Sequence, residues 1–266
     1  MTDMPKILEF KDISFAYPGQ KLLFDDLNVS FAAGQITAVL GPNGCGKSTL
    51  LKLACRLLAP GSGQIILNGR EISGYTRRDF AQKITLLSQR YTLPDITVQE
   101  LVSYGRYPYG QHRGLSAADK QAIMAAVEQT DLQALQTKYL REISGGQAQR
   151  AFIAMALAQD TDVLLLDEPI NSLDIHVGFE VMELLTRLKK GGKTVIMVLH
   201  DLALALQYAD NILLLSGGRP VAEGTPAEIL AGGEILQVFG VQPHALAVGD
   251  KRLFAFSNVA ELADKL

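Results

Sequence analysis

The nine residues GPNGCGKST, Gly41 to Thr49, constrain this chain more than any other stretch. ITAVL, a continuous apolar run of buried-strand character, precedes them, and LLKLACRLL, apolar at helical spacing, follows. A strand, a glycine-rich turn and a helix in that order satisfy G-x-x-x-x-G-K-[ST] in the context that gives the pattern its meaning. Glycines let backbone N–H groups turn inward around phosphate oxygens, and the helix N-terminus adds its positive end. Gly41, Pro42, Asn43, Gly44, Cys45, Gly46, Lys47, Ser48 and Thr49 are therefore the candidate nucleotide-binding residues. Lys47 supplies a cation toward the β and γ phosphates, and Ser48 offers a hydroxyl to Mg²⁺. Cys45 reads as a small residue tolerated in the loop, not as a redox switch.

The rest of the chain reads as an α/β protein around that loop. DVLLLDEP and KTVIMVLHD are short apolar runs typical of parallel strands covered on both faces. GFEVMELLTRLKKGG between them fits a crossover helix ended by glycine. ILEFKDISFAY alternates as an opening strand, GQKLLFDDLNVSFAAGQ reads as turn, strand and turn, and GSGQIILNGREI as a glycine-bounded strand with a tight turn. Helical periodicity runs from about Asp119 to Ala134 and resumes after Gln147, which points to a helical insertion between α/β halves.

Composition narrows the class by exclusion. With 48% hydrophobic and 20% charged residues the chain is expected to be globular, and a net charge of −3 argues against a nucleic-acid platform. No apolar run approaches the roughly 18 residues that span a bilayer, and MTDMPKILEF lacks the core of a signal peptide. Cys45 and Cys55 offer neither a disulfide framework nor metal-ligand spacing, so a reduced, cytosolic chain is expected.

Further chemistry gathers at strand ends. Asp167, at the tip of VLLLD, can hold Mg²⁺ through water, and Glu168 can polarise an attacking water. His200 ends VIMVLH, and parallel sheets gather such ends into one crevice, where it can hydrogen-bond a γ phosphate; a lone histidine there can also be purely structural. Gln89 in LLSQR ends a strand in the same manner and could reach Mg²⁺ or the water. Tyr17 in FAYPG fits turn packing or an adenine platform. One puzzle remains: REISGGQAQR, Arg141 to Arg150, is a second glycine-rich segment that the first loop's nucleotide does not need.

These elements in this order resemble the nucleotide-binding subunit of ATP-binding cassette (ABC) transporters, from about Ile7 to at least Ile229. GPNGCGKST resembles that family's Walker A motif, VLLLDEP its Walker B, Gln89 its Q-loop, ISGGQ its signature, NSLD (Asn171 to Asp174) its D-loop and LHD its switch histidine. The resemblance implies a P-loop nucleotide triphosphatase (RecA-like) α/β core with an antiparallel β subdomain and an inserted α-helical subdomain. The chain would form a single domain over 1–266, with 1–89 and 160–266 as the core and 90–159 as the helical signature subdomain. It further implies ATP hydrolysis with Mg²⁺ held by Ser48, Gln89 and Asp167, and catalysis by Glu168, His200, Gln89 and Lys47. Ser144, Gly145, Gly146 and Gln147 would contact the ATP of a second copy, which answers the puzzle, and Ser172 and Asp174 would belong to the D-loop. A homodimer clamping two ATP molecules follows, each site built from two chains. Three departures stand out: Ile143 for the usual Leu, Ala148 where Arg is frequent and Ile170 where Thr is common. None deletes a catalytic group, although Ile170 and Asn171 leave the D-loop contacts open.

Within the family, LVSYGRYPY (Leu101 to Tyr109) resembles a segment of ATPases from ferric-siderophore, haem and cobalamin importers, placed where the membrane subunit docks. The same residues also fit an aromatic-rich turn packing on the helical insertion. Met155, VAEGTPAEIL and VFGV resemble the same group, whose members lack a long regulatory extension; about 25 residues follow Val241 here. The resemblance thus implies a peripheral subunit on the cytoplasmic face of the inner membrane, bound to an integral membrane permease and served indirectly by a substrate-binding protein, with no nucleic-acid partner. Ferric siderophore is the first expectation for cargo, with haem and cobalamin behind it. A soluble cassette ATPase of iron–sulfur cluster assembly would share the six motifs. DNA-repair cassettes, with long coiled coils or zinc modules, and ribosome-acting pairs of fused cassettes fit less well.

Overall fold

The computed structural model describes residues 5–88, 93–110, 114–171, 173–248 and 251–258. Two compact units emerge, Met1–Glu71 with Ile196–Leu266, and Ile72–Val195.

The first unit opens with two long strands, β1 (Lys6–Ala16) and β2 (Leu22–Ala32), paired antiparallel. Their alternating apolar residues bury Leu8, Phe10, Ile13 and Phe15 from one and Phe24, Leu27, Val29 and Phe31 from the other. Strict alternation breaks at Asp12 and Asp26, both left-handed (φ 54° and 57°), where the register shifts. Aspartate tolerates that backbone region better than most side chains, so each bulge falls on an exposed acid. β3 (Ile36–Leu40) is buried throughout and leads through the glycine loop into α1 (Lys47–Ala54). β4 (Ser62–Leu67) and the two-residue β5 (Arg70–Glu71) complete an antiparallel sheet in the order β2-β1-β4-β5.

In the second unit, α2 (Arg77–Ala81) precedes β6 (Ile84–Leu87), followed by α3 (Val98–Ser103), α4 (Ala117–Gln129) and α5 (Gly145–Ala158). Each of α3, α4 and α5 starts with a reciprocal capping box: Thr97 with Glu100, Ser116 with Asp119, and Ser144 with Gln147. α5 packs on α3 and α4, and Ala151, Ile153 and Ala154 of α5, Leu101 and Val102 of α3, and Ile123 and Val127 of α4 are all buried. β7 (Val163–Asp167), buried throughout, pairs parallel with β6, and α6 (Ile175–Lys190) ends at Gly191. α4 stops at Gln129, short of the expected Ala134, because the backbone turns left-handed at Asp131 (φ 54°), just after Thr130, whose hydroxyl donates to the Ala126 carbonyl (2.8 Å). α5 begins three residues earlier than its periodicity predicts, since the Ser144 cap draws both glycines and Gln147 into helix.

β8 (Thr194–Val198) carries the chain back into the first unit. There α7 (Leu202–Tyr208) leads to β9 (Asn211–Ser216), parallel to β3, and β10 (Arg219–Gly224), antiparallel to β9. α8 (Pro226–Gly232), α9 (Glu234–Phe239) and the hairpin of β11 (Val241–Val248) with β12 (Lys251–Asn258) complete the chain.

The segment after α3 packs against the helices of its unit as an aromatic-rich turn would. Arg106 turns inward, 7% exposed, where its Nε donates to Asp119 Oδ1 (2.9 Å) and its guanidinium to the Ala158 carbonyl (2.8 Å) while lying 3.7 Å from the centre of the Tyr109 ring. Tyr109 Oη donates to the Gln159 carbonyl at 3.0 Å. Tyr104 and Tyr107, by contrast, are 56% and 88% exposed. Hydrogen bonds from Ser116, then from Arg106, hold the Asp119 carboxyl down at about 2. A folded-state value below the unfolded one (about 3.9) stabilises the protein above pH 4, and that contribution is lost as pH falls from about 4 toward 2. Chemical denaturation between pH 6 and pH 3 should therefore show a steeper acid loss of stability for the wild type than for Asp119→Ala, which starts lower.

Candidate active site

The phosphate loop is shaped by two close approaches within the first unit. A Cβ on Gly41 would lie 2.1 Å from the Leu215 carbonyl oxygen, so only glycine lets the chain leave β3 this close to β9. Gly46 caps α1 at φ 109°, and the space of its missing Cβ is taken by the buried Phe24 ring, 2.6 Å away. Lys47, 6% exposed, donates from Nζ to the carbonyls of Gly41 (2.7 Å) and Pro42 (3.0 Å). A cation is thus pinned to the loop's own backbone at the first residue of a helix, where the dipole also favours an anion. Ser48 is partly exposed beside it. Burial pushes the Cys45 thiol up, against the opposing pull of Lys47, so the thiol stays protonated at neutral pH and fits the filler role.

Tyr17 stands edge-on to Phe15 (centroids 5.0 Å apart), and its hydroxyl pairs with Thr49 Oγ1 at 3.0 Å. The aromatic ahead of the loop is therefore bonded to the loop's helix, a structural tie that the adenine-platform reading did not include. At the other flank, the Leu199 N–H donates to the Val39 carbonyl (3.3 Å), bringing the end of β8 beside β3. His200 follows, exposed, and Asp201 caps α7 by accepting from the Leu204 N–H at 3.0 Å. The strand ahead of His200 thus runs beside the one that feeds the loop.

The second unit carries the carboxylates and the second glycine motif. Asp167 is buried at the end of β7, 7% exposed. Glu168 takes φ 54°, a left-handed conformation that costs a non-glycine residue about 1–3 kcal/mol and collects at functional positions. Two contacts around it were not foreseen. Asn171 Nδ2 donates to Glu168 Oε2 at 2.8 Å, and the buried Gln149 Nε2 donates to the Pro169 carbonyl at 2.7 Å. Their only signal in the sequence is an amide three residues after the acid and another one turn into the signature helix. Ser144 and Gly145 are exposed at the head of α5, where Ser144 Oγ accepts from the Gln147 N–H (3.3 Å) and Gln147 Oε1 from the Ser144 N–H (3.0 Å). Asp174 is the N-cap residue of α6. Gln89 and Ser172 lie outside the described residues.

A buried strand, a left-handed glycine loop and a helix starting on lysine define a P-loop nucleoside triphosphatase. A family model described as ABC transporter matches residues 24–171, and the chain belongs to that family. It is 39% identical over 249 residues to the petrobactin import ATP-binding protein YclP of Bacillus subtilis (strain 168), covering 93% of this chain and 98% of that protein. Identity to the ferric enterobactin transport ATP-binding protein FepC of Escherichia coli (strain K12) is 41% over 248 residues, 91% of this chain and 90% of that one. Among solved structures, an inward-facing putative metal-chelate type ABC transporter superposes with a TM-score of 0.82 at 28% identity, covering 96% of this chain and 97% of that chain. CbiO1 of Clostridium perfringens, part of the cbiONQ transporter complex, gives 0.77 at 30% identity over 87% and 93%. The chain is accordingly an ATP-binding subunit whose ATP hydrolysis is coupled to transport. No helix among the described residues is long and apolar enough to cross a membrane.

The two close approaches make a prediction. Gly46→Ala should lose ATP binding and lower the melting temperature, because the added methyl meets the Phe24 ring as well as a strained backbone. Gly34→Ala, also left-handed (φ 69°) but with open space around its Cβ, should cost only about 1–2 kcal/mol and leave ATP affinity unchanged. Fluorescent-nucleotide titration alongside thermal melts separates the two.

Proposed function

We propose that this chain is the ATP-hydrolysing subunit of an importer that takes up an iron chelate, a ferric siderophore, through a separate membrane permease. Similarity over nearly the whole chain to ATPases named for petrobactin and ferric enterobactin import carries the reading. In it the chain is one cassette domain, peripheral at the cytoplasmic face of the membrane, with the exposed Tyr104 and Tyr107 offered to the permease and a substrate-binding protein delivering cargo outside. Two copies meet head to tail and clamp two ATP molecules. The Gly41–Thr49 loop and Lys47 hold each nucleotide's phosphates, Tyr17 lies toward the adenine, and Ser48, Gln89 and Asp167 hold Mg²⁺. Glu168 orients the attacking water and His200 the γ phosphate, while Ser144 to Gln147 of the opposite copy close the site, aided by Ser172 and Asp174. Mg²⁺, when bound, neutralises the developing phosphate charge together with Lys47, which should be the largest catalytic contribution. Hydrolysis then lets the pair reopen.

Three outcomes check this. Glu168→Gln should abolish turnover, retain ATP binding and accumulate a closed dimer by size-exclusion chromatography; normal steady-state hydrolysis would remove Glu168 from its role. A mixed pair of Ser144→Arg and Lys47→Ala subunits should keep one working site, because each lesion falls in the same composite site. Complete inactivity of the mixed pair would contradict sharing of sites between copies. Cells lacking this chain should fail to take up radiolabelled ferric siderophore while haem and cobalamin uptake persist, and the reverse pattern would reassign the cargo.

A further inference from the structure

We infer that Asn171 is a positioning residue for Glu168, holding the carboxylate in the orientation that activates water; the inference rests on Glu168 serving that role. The turn from Glu168 to Asn171 closes on itself twice. The Asn171 backbone N–H donates to the Glu168 carbonyl at 3.2 Å, and the Asn171 side-chain amide donates to Glu168 Oε2 at 2.8 Å. Only the nitrogen end of that amide suits a carboxylate, so the partner chemistry sets the side chain's orientation. The left-handed φ of Glu168 turns the chain back so that a side chain three residues on can reach the acid. From outside the turn, Gln149 of α5 fixes the intervening Pro169 carbonyl at 2.7 Å. The backbone is therefore anchored independently of Asn171, which leaves the amide a side-chain task. A general base must hold its geometry closely, and a carboxylate on three rotatable bonds is steadied by a donor fixed beside it.

Asn171 itself is exposed, so its replacement should spare the fold. Steady-state hydrolysis by the full-length protein, above the concentration at which its activity saturates, tests the idea. Asn171→Leu keeps the side chain's size but removes the donor, and should lower kcat about tenfold or more with KM for ATP and melting temperature unchanged. Asn171→Asp sets a second negative charge beside the first and should lower kcat further. Asn171→His restores a ring N–H at the position of the amide nitrogen and should recover part of the loss. Unaltered kcat in Asn171→Leu, a loss that tracks the melting temperature, or a loss in KM alone would each overturn the assignment. Glu168→Gln, run in parallel, separates the failures. If it is inactive while Asn171→Leu is normal, the positioning role falls alone; if it turns over normally, the role of Glu168 falls with it.

Discussion

Everything in the first unit depends on how closely the backbone after β3 can pass its neighbours. A strand buried on both faces must release the chain into a loop without opening a gap, while the helix that follows must present its N-terminus to a charged ligand. Both demands meet at positions where a single methyl group has no room: the Leu215 carbonyl lies against Gly41 and the Phe24 ring against Gly46. The antiparallel sheet thus does more than cover the core, because β2 supplies the aromatic wall that sets where α1 begins. Lys47, folded onto the loop carbonyls, satisfies its own charge with the atoms that define the loop.

The second unit solves a different problem by different means. Its helices run from 5 to 16 residues, and an isolated helix of such length has little intrinsic stability. Capping boxes at the heads of α3, α4 and α5 and a small-residue face on α5 allow close packing around a common core. Arg106 belongs to this economy of caps. Buried against the Tyr109 ring, it satisfies a carbonyl at the end of α5 and the acid of the α4 capping box with one side chain.

Much of this was legible in the residues, and the misses have physical reasons. Parallel strands betrayed themselves as unbroken apolar runs, and the phosphate loop by a pattern that few other structures need. Helix ends were harder: nothing in the periodicity from Asp119 to Ala134 says that Asp131 will turn left-handed and stop the helix, and a pair of glycines at 145–146 reads as loop until a serine cap recruits it. The ties around Glu168 were also hidden. An amide at i+3 is uninformative until the backbone at Glu168 is known to be left-handed, and that conformation in a non-glycine residue leaves no mark in the sequence. Tyr17 shows the same limit, since its bond to Thr49 joins positions 32 apart.

The serine at the head of α5 repays a closer look at its proton. Ser144 Oγ uses a lone pair to satisfy the helix, so its hydroxyl hydrogen can still be given to something else. Aspartate would finish the helix equally well yet repel any anion brought to the same end; asparagine would bring an amide too bulky for a tight approach. A hydroxyl alone closes the helix with a lone pair and still keeps a proton for an anion brought to that end.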